Sequence, residues 1–203
     1  MKKNKISKDW INKRRKDIYV RQSKIEGYKS RAIYKLKEID EKFKILNDAK
    51  SAIDLGAAPG SWSQYLVKKI KNGKILSIDL LKFEPIKNSH QIIGDFTNEK
   101  YKKDIKNYFN DEVDIVVSDM AVNTTGNKNL DSVVTGELCL EALRFAKDHL
   151  KENGSFLSKI FMGSTFNEIL SEAKLTFKQI NIYKPPSSRK ESKESFIICK
   201  KLR

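Results

Sequence analysis

Short apolar runs alternate with longer segments of helical periodicity through most of the chain. Runs with the length and composition of buried parallel strands cover residues 52–55, 75–78 and 113–117. Apolar positions three or four apart predict helices over residues 62–70, 100–109 and 136–150. This alternation is typical of an α/β fold, a doubly wound sheet with helices on both faces.

The two ends of the chain extend this pattern. After residue 150 the sequence predicts a strand over 154–161, a helix over 165–175 and a closing pair of strands over 177–183 and 195–199. Residues 8–40 are polar and basic, but Tyr28, Ala32, Leu36 and Ile39 fall at helical spacing near the end of that segment. We therefore expect a basic helical extension over 1–46 and an α/β core over 51–203, together forming one domain.

Positive charge is concentrated at the two ends of the sequence. The chain carries 41 Lys and Arg against 26 Asp and Glu, a net charge of +15. Residues 1–40 contribute +9 and residues 184–203 contribute +5, which leaves the middle almost neutral. A surface that binds a polyanion concentrates charge in this way, so nucleic acid is the favoured partner. A solvated, lysine-rich face is the alternative interpretation.

The sequence gives no sign of a membrane or metal protein. No apolar run is long enough to cross a bilayer, and no apolar signal-peptide region is present. Cys139 and Cys199 have no second cysteine at metal-ligand spacing, and His90 and His149 are equally isolated. We expect reduced cysteines, no bound metal, and a cytoplasmic location, or an organellar one in a eukaryotic host.

The turn after the first predicted strand has the features of a cofactor loop. It reads Asp54-Leu55-Gly56-Ala57-Ala58-Pro59-Gly60-Ser61-Trp62. Gly56 and Gly60 allow the backbone to approach a ligand closely, and ligands of open α/β sheets bind at such turns. Asp79 ends the second strand, 25 positions after Asp54, where a carboxylate can bind a ribose diol. The full G-x-G-x-x-G pattern is absent, which favours S-adenosylmethionine over a dinucleotide; a structural turn remains a third possibility.

Two polar residues stand at the ends of predicted central strands. Asp119 follows the run 113–117 and should face the ligand crevice, although a turn aspartate is the alternative interpretation. Lys159 interrupts the apolar run 156–161, where a charge is costly unless it is paired or functional. A lysine whose ammonium group reaches past the strand end into water is the alternative. Both residues are candidate site residues.

Five ordered motifs now make the chain resemble the FtsJ family of heat-shock-associated ribosomal RNA 2′-O-methyltransferases over essentially its whole length. They are residues 30–36, the loop 54–64, Ser118-Asp119-Met120-Ala121, Lys159-Ile160-Phe161, and Ser187-Ser188-Arg189 followed by Glu194. The resemblance implies a Rossmann-like S-adenosylmethionine-dependent methyltransferase fold, with a mostly parallel seven-stranded sheet and an antiparallel C-terminal strand. Two positions depart from the family pattern: Val122 replaces a common proline, and Ser61 replaces a common second glycine.

The resemblance also implies residue roles. The family's catalytic Lys-Asp-Lys-Glu tetrad corresponds to Lys35, Asp119, Lys159 and Glu194. The residues it assigns to S-adenosylmethionine are Gly60, Trp62, Asp79, Asp95 and Asp119, to which the loop itself adds Gly56. Because a ribose hydroxyl must lose its proton when it is methylated, we hypothesise that a neutral Lys159 accepts that proton and that Asp119 orients it. Free lysine has a pKa of about 10.4, so burial and Lys35 would have to favour the neutral form against Asp119 and Glu194.

The expected substrate is RNA, specifically a uridine of 23S-type RNA in the large ribosomal subunit. RNA phosphates are expected to contact Lys13, Arg14, Arg15, Lys16, Arg21, Lys29 and Arg31. A 2′-hydroxyl target explains a preference for RNA over DNA. The protein is expected to be a monomer. Three other functions remain open: methylation of a tRNA anticodon loop, ribosome assembly without catalysis, and nucleotide-dependent oxidoreduction.

Overall fold

The computed structural model describes residues 17–121 and 128–203, with the side chains of 128–132 left out of the description. Its helices are α1 (Ile18–Ile25), α2 (Ile33–Phe43), α3 (Ser61–Lys69), α4 (Glu99–Phe109), α5 (Lys128–His149) and α6 (Phe166–Thr176). Its strands are β1 (Ser51–Leu55), β2 (Lys74–Asp79), β3 (His90–Ile93), β4 (Val113–Ser118), β5 (Leu150–Phe161), β6 (Phe177–Tyr183) and β7 (Glu194–Leu202).

The seven strands form one mixed sheet in the order β3-β2-β1-β4-β5-β7-β6. Strands β1 to β5 are parallel to one another, whereas β7 is antiparallel to both β5 and β6. The order reverses between β1 and β4, which is where open α/β sheets bind ligands. The predicted mostly parallel sheet with an antiparallel C-terminal strand is confirmed.

Apolar residues cover both faces of this sheet. On one face, α2 and α3 pack against it through residues such as Leu36, Ile39 and Leu66, all fully buried. On the other face, α4, α5 and α6 pack through residues that include Ile105 and Leu143. Strand β1 is buried at every position because it is covered from both sides. The central strands are therefore accessible mainly at their ends.

Local chemistry sets the beginning of α1. The Asp17 carboxylate accepts hydrogen bonds from the backbone nitrogens of Tyr19 and Val20, at 3.1 and 3.4 Å. This side-chain cap satisfies backbone donors that have no partner within the helix. Gly27, with φ of +74°, then turns the chain between α1 and α2. The described part of the predicted extension therefore consists of two short helices.

Several predicted boundaries were wrong and one strand was not predicted. Strand β5 begins at Leu150 and not at residue 154, and β7 ends at Leu202 and not at residue 199. Helix α5 begins at Lys128, eight residues before the predicted start, and Leu150 belongs to β5 because it pairs with Val113. Strand β3 was missed because its four residues are exposed or half-buried and show no apolar run. It is defined by backbone pairing with β2, which periodicity cannot reveal.

Candidate active site

The predicted tetrad forms one hydrogen-bonded group at the carboxyl edge of the sheet. Lys159 Nζ donates to the main-chain oxygen of Asp119 at 2.6 Å and to its Oδ1 at 2.9 Å. Lys35 Nζ donates to Glu194 Oε2 at 2.8 Å and lies 3.5 Å from Asp119 Oδ2. Asp119 thus joins the two lysines, one on each carboxylate oxygen.

The strand order brings these four side chains together. Asp119 directly follows β4, and Lys159 lies near the end of the neighbouring parallel strand β5. Because β7 runs antiparallel to β5, its first residue, Glu194, pairs with Phe161 at the same edge. Lys35 reaches the group from α2, which packs across one face of the sheet. The site therefore needs residues from both ends of the chain.

Burial and charge together determine the protonation of two members. Burial raises the pKa of Asp119, but the nearby ammonium groups of Lys159 and Lys35 outweigh it and hold that pKa below its usual range. Burial lowers the pKa of Lys35, but Asp119 and Glu194 outweigh it and raise that pKa. Asp119 is therefore a carboxylate and Lys35 an ammonium ion at neutral pH. Lys159 is only 7% exposed, so its pairing with Asp119 offsets the cost of burying it.

A buried serine holds the fourth member in place. Ser188 Oγ donates to Glu194 Oε1 at 2.8 Å, so each oxygen of this carboxylate has its own donor. The neighbouring Ser187 donates through its backbone nitrogen and hydroxyl to Glu38 of α2, at 2.9 and 2.7 Å. These bonds fasten the connection between β6 and β7 to α2.

The glycine loop provides close backbone approach beside the tetrad. Gly56 has φ of +68°, and a Cβ placed there would lie 2.1 Å from Met120 Cγ. Gly60 has φ of +103°, and its Cβ would meet the side chains of Ile86 and Phe83 at 2.9 and 3.1 Å. Both positions therefore require glycine for conformation and for space. Gly60 immediately precedes α3, whose first backbone N–H groups have no partner within the helix.

Carboxylates line the same edge of the sheet. Asp79 accepts hydrogen bonds from the backbone nitrogens of Ala58 and Leu81, both at 2.8 Å, which fix it against the glycine loop. A carboxylate has about four acceptor positions, so Asp79 retains capacity for a ligand. Burial raises the pKa of Asp54 to about 7; the hydrogen bond from Ser63 opposes this rise, whereas the charges of Asp119 and Asp79 add to it. The three carboxyl groups therefore lie close enough to influence one another.

A family model for FtsJ-like methyltransferases matches residues 28–202. The chain belongs to the FtsJ-like methyltransferase family. Its sequence is 59% identical over the full length of both chains to the ribosomal RNA large subunit methyltransferase E of Pelagibacter ubique. The resemblance inferred from the five motifs is therefore confirmed.

Two solved structures extend the comparison. A protein of Plasmodium falciparum described as a candidate ribosomal RNA methyltransferase has 31% identity and a TM-score of 0.76, covering 86% of this chain and 98% of that one. Human methyltransferase-like protein 13, solved with SAH, has a TM-score of 0.56 at 12% identity, covering 83% of this chain and 79% of that one. The second likeness concerns the fold alone. The FtsJ-like chain thus has the methyltransferase fold predicted from its sequence.

The remaining predicted cofactor residues differ in their surroundings. Trp62 is 2% exposed, and its indole N–H donates to the main-chain oxygen of Ala32 at 2.8 Å. Its ring packs against Phe196 in the core, so only the main chain of Trp62 is available to a ligand. Asp95 is exposed in the turn after β3 and accepts two hydrogen bonds from Thr97 on one oxygen. Its other oxygen accepts no hydrogen bond from the described residues.

The predicted RNA-contacting residues fall into two groups. Lys13, Arg14, Arg15 and Lys16 lie outside the described residues. Of the others, Arg21 is exposed on α1, Lys29 pairs with Glu84, and Arg31 pairs with Asp17. Arg31 also donates to the main-chain oxygen of Ser187. Arg31 therefore connects α1, the start of α2 and the β6–β7 connection.

Sequence reasoning missed Asp17, Ser188 and a role for Arg189. Asp17 has no partner close in sequence other than its own helix, and it meets Arg31 and Arg189 only in the folded chain. Ser188 and Arg189 lie in a motif that carried the resemblance, so their presence was noted without a function.

In the described parts of the chain, no group of three or more His, Cys, Asp or Glu side chains has metal-binding geometry. None of the described helices is long and apolar enough to span a membrane.

Proposed function

We propose that this FtsJ-like methyltransferase transfers a methyl group from S-adenosylmethionine to a ribose 2′-hydroxyl of large-subunit ribosomal RNA. The observation that carries the proposal is the joined group of Lys35, Asp119, Lys159 and Glu194 beside the glycine loop. An assembly factor without catalysis has no need of two buried, fully paired lysines at a ligand edge.

The acidic residues and backbone donors at the carboxyl-terminal edge of the sheet suit S-adenosylmethionine. When bound, S-adenosylmethionine supplies an electrophilic methyl group on a positively charged sulfonium. The carboxylate of Asp79 places a negative charge at this edge, and the ionised Asp119 lies nearby, an arrangement that suits a cation. Asp79 keeps acceptor capacity for a ribose diol, and the first turn of α3 offers backbone N–H groups, including that of Trp62, to a carboxylate.

The bonds of Lys159 suit a proton acceptor. An amine nitrogen has three positions beyond its carbon, and two of those on Lys159 face oxygens of Asp119. The ammonium form of Lys159 has no lone pair, so Lys159 must first release one proton. In the resulting neutral amine these two positions hold N–H bonds, and the third holds the lone pair. That lone pair receives the proton of the ribose hydroxyl while Asp119 keeps the amine in place. Lys35 and Glu194 hold the opposite side of Asp119 and complete the polar surface around the ribose.

The choice of RNA rests on three observations. The relative of P. ubique is named a ribosomal RNA large subunit methyltransferase and matches the whole chain. The positive charge of residues 1–40 and 184–203 lies in the sequence segments that contribute Lys35 and Glu194, so the site is built from the two most basic parts of the sequence. A 2′-hydroxyl acceptor exists in RNA and not in DNA.

The test supplies the protein with labelled S-adenosylmethionine and, separately, large ribosomal subunits and total tRNA from a strain that lacks the modification. We expect label in the large subunit, located at one ribose by mapping the methylated nucleotide. Label in tRNA alone would replace ribosomal RNA with the anticodon-loop alternative, and absence of label from both would contradict the proposal. A titration with S-adenosylmethionine and NAD, in which only the former binds, separates a methyltransferase from an oxidoreductase.

A further inference from the structure

A cavity adjoins the tetrad on the side of α2 and the β6–β7 connection. Its volume is about 340 Å³, and its lining includes Arg31, Lys35, Arg189, Glu191, Ser192 and Glu194. Small-ligand sites range from about 300 to 1,000 Å³, so the cavity has room for part of a nucleotide. Because Lys35 and Glu194 belong to both the cavity and the tetrad, an RNA strand whose ribose lies at Lys159 passes this cavity.

Two of the three lining cations already have strong partners. Lys35 is bonded to Glu194 and faces Asp119. Arg31 donates to Asp17 and to the main-chain oxygen of Ser187, and its side chain is 18% exposed. Its guanidinium also lies over the Tyr19 ring, 5.3 Å from the centroid. Both side chains are therefore parts of the protein's own framework.

Arg189 differs from these two. Its side chain is 41% exposed, and its Nε lies 3.8 Å from Asp17 Oδ2, beyond hydrogen-bond distance. Its terminal amino groups make no hydrogen bond to any residue that the model describes. The edge formed by those two groups is the one that binds a phosphate through two parallel hydrogen bonds.

The arginines are held in place by Asp17. One oxygen of this carboxylate caps α1, and the other faces Arg31 and Arg189. Because burial and the charge of Arg189 both lower the pKa of Arg31, the two guanidinium groups lie close enough to repel one another. The negative charge of Asp17 offsets this repulsion. Because Asp17 faces the Nε of Arg189, the two terminal amino groups of Arg189 remain available.

We propose that Arg189 binds a backbone phosphate of the RNA substrate next to the methylated nucleotide, with Asp17 and Arg31 as its positioning residues. This proposal rests on the proposed function for the identity of the ligand. Arg189 then contributes to substrate binding, and the proton transfer at Lys159 does not depend on it. The expected signature is a change in KM and in salt dependence with kcat preserved.

The experiment measures binding of a fluorescently labelled fragment of large-subunit ribosomal RNA across a range of salt concentrations. We expect Arg189→Ala to weaken binding about tenfold and to reduce the slope of log K against log salt by about 0.7–0.9, the contribution of one phosphate. Arg189→Lys should keep the slope but lose part of the affinity, since an ammonium binds a phosphate through one point. Arg144→Ala is the matched control, because Arg144 is exposed on α5 and pairs with Glu141 of the same helix.

A purely structural role for Arg189 gives a different result. In that case Arg189→Ala would lower the melting temperature and leave the salt slope equal to that of Arg144→Ala, which overturns the proposal. Asp17→Asn provides a second variant, since asparagine also caps a helix but carries no charge. We expect it to weaken RNA binding, because Arg31 and Arg189 lose the carboxylate that positions them. An affinity equal to or higher than that of the unmodified protein would contradict the role assigned to Asp17.

Two further measurements separate the possible failures. Replacing chloride by inorganic phosphate at constant ionic strength tests whether the site binds a free phosphate ion. The RNA assignment would be overturned if phosphate raised the melting temperature of the unmodified protein but not of Arg189→Ala, while both proteins bound RNA equally well. Methylation of large subunits by the unmodified protein is measured in parallel. Its absence would contradict the proposed function, whereas methylation with an unchanged KM in Arg189→Ala would contradict this inference alone.

Discussion

Lys159 contacts Asp119 through two oxygen atoms of different kinds, the main-chain oxygen at 2.6 Å and Oδ1 at 2.9 Å. The main-chain contact ties the amine to the end of β4 itself. The carboxylate contact ties it to a group that also faces Lys35. The position of the amine is therefore determined by the sheet as well as by an ion pair, which makes Lys159 a side chain with little freedom of rotation.

Replacement of this amine should remove the chemical step and spare the cofactor. We expect Lys159→Ala to lower the single-turnover methylation rate by about 10²- to 10⁴-fold, the usual contribution of a proton acceptor. Affinity for S-adenosylmethionine, measured by calorimetry, should stay within about twofold. Lys151→Ala is the control, since Lys151 lies on the same strand but pairs with Asp114 away from the tetrad. Retention of most of the rate would show that Lys159 is not the acceptor.

Removal of the hydroxyl that supports Glu194 should affect turnover more than binding. Ser188→Ala leaves Glu194 Oε1 without its donor, and we expect kcat to fall about tenfold, equivalent to about 1.4 kcal/mol, with KM little changed. Ser188→Thr retains a hydroxyl and should restore most of the rate. Ser171→Ala, at an exposed position of α6, should have no effect. An equal loss in Ser188→Ala and Ser188→Thr would indicate a packing effect instead.

The carboxylate at the end of β2 should control cofactor affinity. Asp79→Asn keeps the size of the side chain but replaces a charged acceptor, and we expect S-adenosylmethionine to bind about 10- to 100-fold more weakly, corresponding to about 1.5–3 kcal/mol. Asp104→Asn, exposed on α4, serves as the matched control. Calorimetric Kd values that agree between these two variants would exclude Asp79 from the cofactor site.

Buried Asp54 should make stability depend on pH. Its pKa is about 7 in the folded protein and about 3.9 in an unfolded chain. Below about pH 4 both states hold the proton, and between about pH 4 and 7 only the folded state does, so the contribution of Asp54 to stability is lost as the pH rises. The loss is on the order of 4 kcal/mol.

Asp54→Asn should therefore flatten the pH profile. The asparagine can still accept the hydrogen bond from Ser63, which lies 2.6 Å from the carboxylate. Urea unfolding at pH 5 and pH 8 measures the difference, and the unmodified protein should lose more stability than the variant over that interval. Parallel losses in both proteins would show that Asp54 is not the titrating group.

Much of the sheet could be predicted, because a strand that is buried on both faces consists mainly of apolar residues. Strands β1 and β4 appear as short apolar runs, and Lys159 was noticed because it interrupts such a run. Strand β3 and the true start of α5 lack this signal, since one is half-exposed and the other begins among polar residues. The pairing of β3 and the early start of α5 depend on contacts with residues elsewhere in the chain, which a local sequence pattern does not show.

The site divides in the same way. Family motifs located the tetrad, and the structure supplied its bonds. The buried indole of Trp62 could not be foreseen, because its partner Ala32 lies at the start of another helix. The contacts of Asp17 could not be foreseen either, because its partner Arg31 lies beyond its own helix and its partner Arg189 is more than 150 residues away. Side-chain direction and long-range pairing depend on how the helices pack, which residue types alone do not specify.

The place of β7 in the sheet has a consequence for synthesis of the protein. This strand follows all the others along the chain, yet it lies between β5 and β6 and supplies Glu194. The cofactor loop can form early in synthesis, but the seven-stranded sheet is complete only after β7 has left the ribosome. A message that stops before Glu194 therefore yields a product with an unfilled gap in its sheet and two exposed strand edges, a substrate for aggregation or proteolysis.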